Sequence, residues 1–232
     1  MDGNGRWAQQ RGLKRIEGHY EGRKATRRVV EECVRLGVEH LSLYAFSTEN
    51  WSRSAEEVRG ILSLIETALE AEIDDLHANN VRFITSGRTR ELPESLQRAL
   101  AVGEARTAGN TGLVLNLAIN YSGRTELADA CREIADDCLE GRLSLDEVTV
   151  EAVGQHLYHP ELPDVDLFIR PSGEMRVSNY LLWQIAYAEM YVCPVLWPDF
   201  QAEHLHEAIG EFHRRERRFG GVPGCEKDTI GV

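Results

Sequence analysis

The first residues of the chain have side chains that could bind a diphosphate and a metal ion. Within seven residues the sequence places one carboxylate (Asp2), two glycines (Gly3 and Gly5) and an arginine (Arg6). Glycines let backbone N–H groups approach an anion, arginine adds positive charge, and aspartate can ligate a divalent cation. Asp-Gly and Asn-Gly pairs are also typical of plain turns, and these seven residues alone favour a turn. The rest of the chain must decide between the two interpretations.

The charge distribution suits a small anionic ligand better than a nucleic acid. The chain of 232 residues has a formal net charge of −12, which argues against general nucleic-acid binding. Its first 28 residues nevertheless carry a local charge of +5, from eight basic and three acidic residues. We expect part of this charge to lie on a solvated helix face and part to meet a small polyanion such as a diphosphate. The basic residues are Arg6, Arg11, Lys14, Arg15, Arg23, Lys24, Arg27 and Arg28, and the acidic ones are Asp2, Glu17 and Glu21.

Composition indicates a cytoplasmic protein with reduced thiols. No apolar run approaches the ~18 residues of a membrane-spanning helix, and the charged, glycine-rich start is not typical of a secretory signal. The cysteines have no C-x-x-C spacing, so we expect buried or reduced thiols. They are Cys33, Cys131, Cys138, Cys193 and Cys225.

Short apolar strands alternate with amphipathic helices along the chain. This alternation predicts an α/β fold, with a mostly parallel central sheet covered by helices on both faces, in a single domain over residues 1–221. Residues 222–232 are predicted to be a loose tail. Ser54 and Glu57 have the spacing of a capping box at the start of a long helix. The predicted strands are 38–46, 81–85, 113–119, 165–170 and 192–197, and the other predicted helices are 21–36, 93–107, 123–139, 149–157, 179–191 and 202–218.

The predicted sheet must position the residues that could do chemistry. In open parallel sheets, ligands bind beyond the carboxyl ends of the strands. Two polar segments, 47–53 and 171–178, directly follow predicted strands. The opening segment would be a third, but no apolar strand precedes it. We therefore expect that the first strand is missing from this chain, through truncation or a misassigned start.

Three motifs, taken in order, are typical of one enzyme family. The first motif is residues 1–8 together with Gly18-His19, and the second is residues 43–51. The third is residues 166–179 together with 181–184 and 186–189. On these residues the chain resembles the cis-prenyltransferases, most closely the bacterial undecaprenyl diphosphate synthases, from Met1 to about Gly221. The resemblance implies an enzyme that extends an allylic diphosphate, typically farnesyl diphosphate, with isopentenyl diphosphate. Each added unit then has a cis double bond, and the product is expected near undecaprenyl length.

The resemblance also implies catalytic and metal-binding residues. Asp2 matches the aspartate that binds Mg²⁺, and Glu189 matches a second carboxylate contacting the metal. By analogy Glu189 comes from the partner subunit or lies near its interface, which implies a homodimer. Asn50 matches the residue linked to proton removal; since an amide is a poor base, we expect Asn50 to orient substrate and the diphosphate to accept the proton.

Two further sets match the family's substrate sites. The allylic diphosphate pocket corresponds to Gly3, Asn4, Gly5, Arg6, Arg15 and His19. The isopentenyl diphosphate site corresponds to Arg53, Arg170, Arg176 and Ser178. The predicted substrate-binding set is completed by Trp7, Ser47, Thr48, Glu49, Trp51 and Val177. For Trp7 and Trp51, loop anchoring is at least as good an explanation as substrate binding.

Product length would depend on an apolar tunnel. Its predicted lining is Ala45, Leu62, Ile65 and Leu69, with Leu113 as the floor, although ordinary core packing explains the same residues. Pro171 departs from the threonine of many relatives and removes a backbone donor near the isopentenyl diphosphate site.

Three interpretations of the function remain. The chain elongates prenyl diphosphates, is a short-chain or irregular-coupling member of the family, or is a non-catalytic subunit of a heteromeric enzyme. Retention of Asp2, Arg170, Arg176 and Ser178 argues against the last interpretation. The predicted substrates are the two diphosphates, the predicted cofactor is Mg²⁺, and transient membrane contact could accompany product release.

Overall fold

The computed structural model describes residues 1–215, which form α-helices alternating with short parallel strands. The helices are α1 (Asn4–Gln10), α2 (Arg15–Leu36), α3 (Ala55–Ala78), α4 (Glu94–Thr107), α5 (Gly123–Leu139), α6 (Val150–Gln155) and α7 (Ala202–Arg214). The strands are β1 (His40–Ser47), β2 (Arg82–Ser86), β3 (Val114–Tyr121), β4 (Leu167–Arg170) and β5 (Glu189–Val192). Short 3-10 helices follow β1 and β4, at Thr48–Ser52 and Pro171–Gly173.

All strand pairs among the described residues are parallel, as predicted, but the strands form two sheets. The order is β1-β3-β2 in one sheet and β4-β5 in the other. Strand β3 pairs with β1 from His40↔Val114 onward and with β2 from Arg82↔Val114 onward. Strand β4 pairs with β5 from Leu167↔Glu189 to Arg170↔Val192. The α/β class is therefore confirmed, and the site must join the ends of two sheets.

Strand β3 contributes residues to two apolar clusters. Leu115 and Ile119 belong to the larger cluster, which includes buried residues of α2, α3 and α4. Ala118 and Tyr121 belong to a smaller cluster with Phe168 and Tyr180. The Tyr121 hydroxyl donates to the buried carboxylate of Glu126 on α5. Helices α2, α3 and α4 cover the larger cluster, and α5 contacts the smaller one. Tyr121 would share the face of Leu115 and Ile119 in a regular strand, but the left-handed backbone of Asn120, with a φ of 49°, interrupts the alternation.

Helix α1 packs against α2 at two glycines. A Cβ at Gly18 would lie 1.9 Å from the backbone oxygen of Asn4, and one at Gly22 would lie 2.3 Å from the Asn4 side-chain oxygen. Neither distance is compatible with a carbon atom, so only glycine permits this approach. The contact fixes the opening motif on the surface of α2.

Several predicted boundaries were wrong. Residues 4–10 form a helix rather than a turn, and α2 begins at Arg15. The predicted helix 179–191 is absent: this segment is a series of turns leading into β5, so strand 192–197 was placed too late. Left-handed backbone at Ser178, Asn179 and Leu181 explains the helix error, since consecutive helical dihedrals are impossible there. The predicted helix 202–218 ends at Arg214. Its predicted residues 216–218, the predicted tail and Cys225 lie outside the described residues.

A cavity of about 1270 Å³ runs between the two sheets. It touches consecutive residues of β1 and of β4, which are edge strands. The side chains of successive strand residues point to opposite faces of a sheet. A cavity that contacts consecutive residues of β1 and of β4 therefore runs along the edges of these strands. It continues along α3, at Ile61, Ile65 and Leu69. Within residues 1–215 no helix combines the length and apolar character needed to cross a membrane.

Candidate active site

Asp2 and Arg170 join the opening motif to the end of β4. One Arg170 nitrogen donates to Asp2 Oδ2 at 2.8 Å, while Asp2 Oδ1 accepts from the Gly3 N–H at 2.7 Å. Another Arg170 nitrogen donates to the Arg176 carbonyl oxygen at 2.6 Å and to Ser178 Oγ at 2.8 Å. Burial raises the pKa of Asp2, but the hydrogen bond and charge of Arg170 outweigh burial, and the pKa lies below its usual value. The carboxylate is therefore ionised at neutral pH.

Arg6 faces the same loop from α1. Its guanidinium donates to Ser172 Oγ at 2.6 Å and to Glu174 Oε1 at 3.0 Å. The other oxygen of Glu174 accepts from Arg176 at 2.6 Å. Glu174 thus holds together an arginine from the predicted allylic diphosphate pocket and one from the predicted isopentenyl diphosphate site.

A second carboxylate, that of Glu57, joins the remaining cationic residues. It accepts from Arg15 Nε at 3.2 Å and from Arg53 at 3.0 Å, and it lies 4.0 Å from His19 Nε2. The Arg15 guanidinium crosses the backbone of Gly5, where a Cβ would lie 2.5 Å from its central carbon. Burial first, and then the positive charge of Arg53, lower the pKa of His19 to about 4. His19 is therefore neutral under physiological conditions.

The 3-10 helix after β1 fixes the side chains of the second motif. Asn50 Oδ1 accepts from the Ser47 N–H at 3.1 Å, and Thr48 donates to Glu49 at 3.3 Å. Glu49 also accepts from Asn179 at 2.7 Å. Burial raises the pKa of Glu49, but the hydrogen bond from Asn179 and its other partners lower it overall. The fixed Asn50 amide suits an orienting role.

The loop after β4 has unusual backbone geometry. Ser172 and Ser178 have φ of 76° and 50°, a conformation that is strained for residues other than glycine and that clusters at functional sites. The Ser172 and Gly173 N–H groups donate to the carbonyls of Val195 and Cys193. Pro171 begins the 3-10 helix, a position where a missing N–H removes no helical hydrogen bond.

Most of the predicted site residues line the cavity. The polar lining includes Asp2, Asn4, His19, Ser47, Glu49, Asn50, Arg53, Arg170, Arg176 and Ser178, and Val177 lies beside them. Ala45, Ile65 and Leu69 line its apolar part, as predicted. Leu62 and Leu113 were predicted wrongly, since both are buried within the larger apolar cluster and not at the cavity surface.

Two tryptophans act as anchors. Trp7 Nε1 donates to Asp199 at 2.7 Å, and Arg11 lies over the Trp7 ring at 4.1 Å, away from the cavity lining. Trp51 Nε1 donates to Asn120 at 2.7 Å. These contacts favour loop anchoring over substrate contact for both rings.

Within one chain, Glu189 does not lie near Asp2. It is paired with Leu167, at the start of β4, whereas Arg170 beside Asp2 is three positions further along. Three strand residues span ~10 Å. Glu189 instead pairs with Arg215 at 2.9 Å.

The donor set at Asp2 fits a metal that arrives with its substrate. Among residues 1–215 no group of three or more His, Cys, Asp or Glu side chains could hold a metal ion. Mg²⁺ is usually held by one or two carboxylates together with substrate phosphates and water. The half-exposed carboxylate of Asp2, with 35% of its side chain accessible, meets that requirement.

The motifs do not indicate the residues that hold these side chains in place. They are Glu57, Asn120, Ser172, Glu174, Asn179 and Asp199. Glu174 and Asn179 lie inside the third motif, so proximity to Arg176 and Ser178 was an available signal. Asn120 and Asp199 contact partners 69 and 192 residues away, which no local pattern indicates.

Comparison with known proteins identifies the family. The family model described as "Putative undecaprenyl diphosphate synthase" matches residues 1–220. The chain is 48% identical over 227 residues to the ditrans,polycis-undecaprenyl-diphosphate synthase of Escherichia coli K12, specific for (2E,6E)-farnesyl diphosphate, covering 97% of this chain and 90% of that protein. It is 49% identical over 231 residues to a trans,polycis-polyprenyl diphosphate synthase of Thermobifida fusca, specific for (2Z,6E)-farnesyl diphosphate, covering 100% and 81%. Lavandulyl diphosphate synthase from Lavandula x intermedia, solved with dimethylallyl diphosphate, superposes with a TM-score of 0.91 at 33% identity, covering 95% of each chain.

Proposed function

This chain belongs to the cis-prenyltransferase family, and from that premise we propose that it elongates farnesyl diphosphate with isopentenyl diphosphate to form undecaprenyl diphosphate. The observation that carries the proposal is the contact of Asp2 with Arg170. It joins the opening motif and the loop after β4, 168 residues apart, beside an apolar cavity. Anion-binding side chains at one end and an apolar space behind them suit a diphosphate with a growing hydrocarbon chain.

The reaction breaks the allylic C1–O bond, and diphosphate leaves with the bonding electrons. A new C–C bond forms between that C1 and the terminal alkene carbon of isopentenyl diphosphate, which then loses a proton. We assign Arg6 and Arg15 to the leaving diphosphate, because planar guanidinium groups bind phosphate oxygens in pairs. Arg170, Arg176 and Ser178 are assigned to isopentenyl diphosphate. Asn50 orients the substrates, and the departing diphosphate accepts the proton.

We propose Mg²⁺ as the cofactor, with Asp2 as its protein ligand. When bound with the diphosphate, the ion would neutralise the charge that develops on the leaving oxygens. The low pKa of Asp2 keeps its carboxylate ionised for that role. Arg170, released from Asp2, would turn its donors toward the incoming diphosphate.

A homodimer is part of the proposal. Glu189 lies ~10 Å along the strand from the level of Asp2, so its predicted metal contact requires a second chain. Sedimentation of the wild-type protein measures this directly: a dimer is expected, and a monomer with full activity would remove Glu189 from the site.

Irregular coupling is the second candidate, favoured by one observation. The TM-score of 0.91 to lavandulyl diphosphate synthase shows that this fold accommodates another activity. The wild-type chain should be incubated with farnesyl diphosphate, labelled isopentenyl diphosphate and Mg²⁺, and its products dephosphorylated and sized. Chains near undecaprenol length are expected. A single-condensation or branched product would favour the alternative, and the absence of any condensation would favour a non-catalytic subunit.

A further inference from the structure

Glu57 occupies a position that helix capping does not explain. It lies in the first turn of α3, and its backbone N–H donates to the Ser54 hydroxyl at 3.2 Å, which is half of the predicted capping box. In the other half, the glutamate side chain would return to the Ser54 N–H. Instead the carboxylate accepts from Arg15 and Arg53. The cap is therefore half formed, and the carboxylate is committed to two arginines.

These contacts converge from three elements. Arg15 begins α2, Arg53 follows the 3-10 helix after β1, and Glu57 belongs to α3. Only 15% of the Glu57 side chain is exposed, against 43% for Arg15 and 33% for Arg53. The less exposed carboxylate is thus the fixed centre; Arg53 also lines the cavity, and Arg15 is exposed to solvent.

We propose that Glu57 is a positioning residue that holds Arg15 and Arg53 together for diphosphate binding; this inference rests on the proposed function. Two guanidinium groups repel one another, and a shared carboxylate offsets that repulsion before any substrate binds. The Arg15 guanidinium is thereby kept across Gly5, where the missing side chain leaves room for it. A diphosphate then meets two cations already in place, so less ordering is required on binding.

Two other roles for Glu57 make opposite predictions. If it only attaches α2 to α3, its loss should lower thermal stability without changing affinity for diphosphates. If its charge mainly repels the substrate, Glu57→Gln should tighten binding. If it positions the arginines, Glu57→Ala should raise KM for both diphosphates at least about tenfold, because each arginine loses a charged hydrogen-bond partner. Glu57→Gln, which keeps one acceptor oxygen, should lie between wild type and Glu57→Ala.

The chain offers a matched control. Arg27 and Asp75 form a 2.9 Å ion pair between the same two helices, and neither residue lines the cavity. Asp75→Ala removes a carboxylate that joins α2 to α3 and should leave both KM values unchanged. Equal KM changes in Asp75→Ala and Glu57→Ala would overturn the proposal.

A double-mutant cycle provides the sharpest test. Arg15→Ala should weaken diphosphate binding in the wild-type background but have little further effect in Glu57→Ala, since the misplaced arginine no longer contributes. Binding is measured by calorimetry with a non-reactive thio analogue of farnesyl diphosphate. Additive effects of the two substitutions would refute positioning. Because this readout needs no turnover, a wild-type chain that binds the analogue but forms no product would refute the proposed function alone.

Discussion

Each arginine of the site is held by an acceptor before substrate binds. Arg170 pairs with Asp2, Arg6 with Glu174, and Arg15 and Arg53 with Glu57. These pairs keep long side chains in defined positions, which reduces the entropy lost on binding. A diphosphate must replace some of these contacts, so its affinity reflects an exchange of partners rather than a simple gain.

Removing the charge of Asp2 should stop catalysis without unfolding the protein. Asp2→Asn keeps the shape of the side chain and an oxygen that can accept from Arg170, but it cannot supply a carboxylate to a diphosphate-bound cation. We expect kcat to fall by about 10²–10³, measured by incorporation of labelled isopentenyl diphosphate. Asp75→Asn, which alters an exposed ion pair with Arg27, is the control and should retain full activity. Turnover by Asp2→Asn close to that of wild type would refute the assignment.

His19 should make the folded state less stable in mildly acidic solution. The pKa of His19 is about 4 in the folded protein against 6.5 for the free side chain. Below pH 6.5 the unfolded chain therefore binds a proton that the folded chain does not, and stability is lost as pH falls toward 4. The loss amounts to about 3 kcal/mol at most.

The measurement for His19 is urea denaturation at several pH values, comparing wild type with His19→Gln. Other titrating groups are common to both proteins, including His156, whose pKa is raised by its hydrogen bonds to Ala152 and Asp137. The difference in unfolding free energy between the two proteins should therefore change between pH 6.5 and 4. Parallel curves would show that His19 is not held neutral by its surroundings.

The motifs predict the charged centre of the site but not the residues that hold its side chains in place. Asp2 and Arg170 follow from their motifs, and Arg170 also from its place at the end of a strand. The partner of Trp7 was not predictable, because Asp199 lies 192 residues away and enters through tertiary packing. The carboxylate of Glu57 was misassigned for a related reason: local spacing predicts a cap, and only the fold brings Arg15 within reach.

At the scale of elements, the contact of α1 with α2 determines where the opening motif lies. Gly18 and Gly22 let the Asn4 backbone and side chain approach α2 directly. Gly3, the residue before α1, has a φ of +99°, a conformation that other residues rarely adopt. The opening motif is therefore held by close packing rather than by its own hydrogen bonds alone.

Gly18→Ala should separate the two helices and disorder the site. The new methyl group would collide with the Asn4 carbonyl oxygen, and overpacking of this kind costs about 1–3 kcal/mol. Gly210→Ala is a matched control on α7, where no atom lies within 4 Å of the position that a Cβ would take. It should stabilise the protein by about 0.5–1 kcal/mol. Thermal denaturation should show a lower melting temperature for Gly18→Ala and a higher one for Gly210→Ala. Equal changes in melting temperature would contradict the packing argument.

Helices with a long hydrophobic repeat were predicted correctly, whereas a segment with left-handed backbone dihedrals was not. The pattern of α3 and its Ser54 cap were confirmed. The segment 179–191 has helical composition, yet Asn179 and Leu181 adopt positive φ and the chain turns instead. The carbonyl of Asn179 accepts a hydrogen bond from the Gly123 N–H, on α5, at 2.7 Å. Local helix propensity does not reveal this tertiary contact.

At the scale of the whole molecule, the cavity is bounded by strands of both sheets and by α3. Residues of β1 and β4 line it, and α3 supplies an apolar wall. Hydrophobic periodicity predicts each of these elements separately but not the space between them. The predicted lining was accordingly right at Ile65 and wrong at Leu62, which points into the core from the same helix.

Narrowing the cavity from α3 should shorten the product. Ala68 lines the cavity, and Ala68→Phe would place a ring across the path of the growing chain. The first condensation uses the polar end of the cavity and should be little affected, whereas later additions require space that the ring occupies. Reversed-phase separation of dephosphorylated, labelled products should show a shift to shorter chains. Ala71→Phe adds the same ring to the exposed side of α3 and should leave the product distribution unchanged. If Ala68→Phe gives products of wild-type length, the chain grows elsewhere and the cavity is not the tunnel.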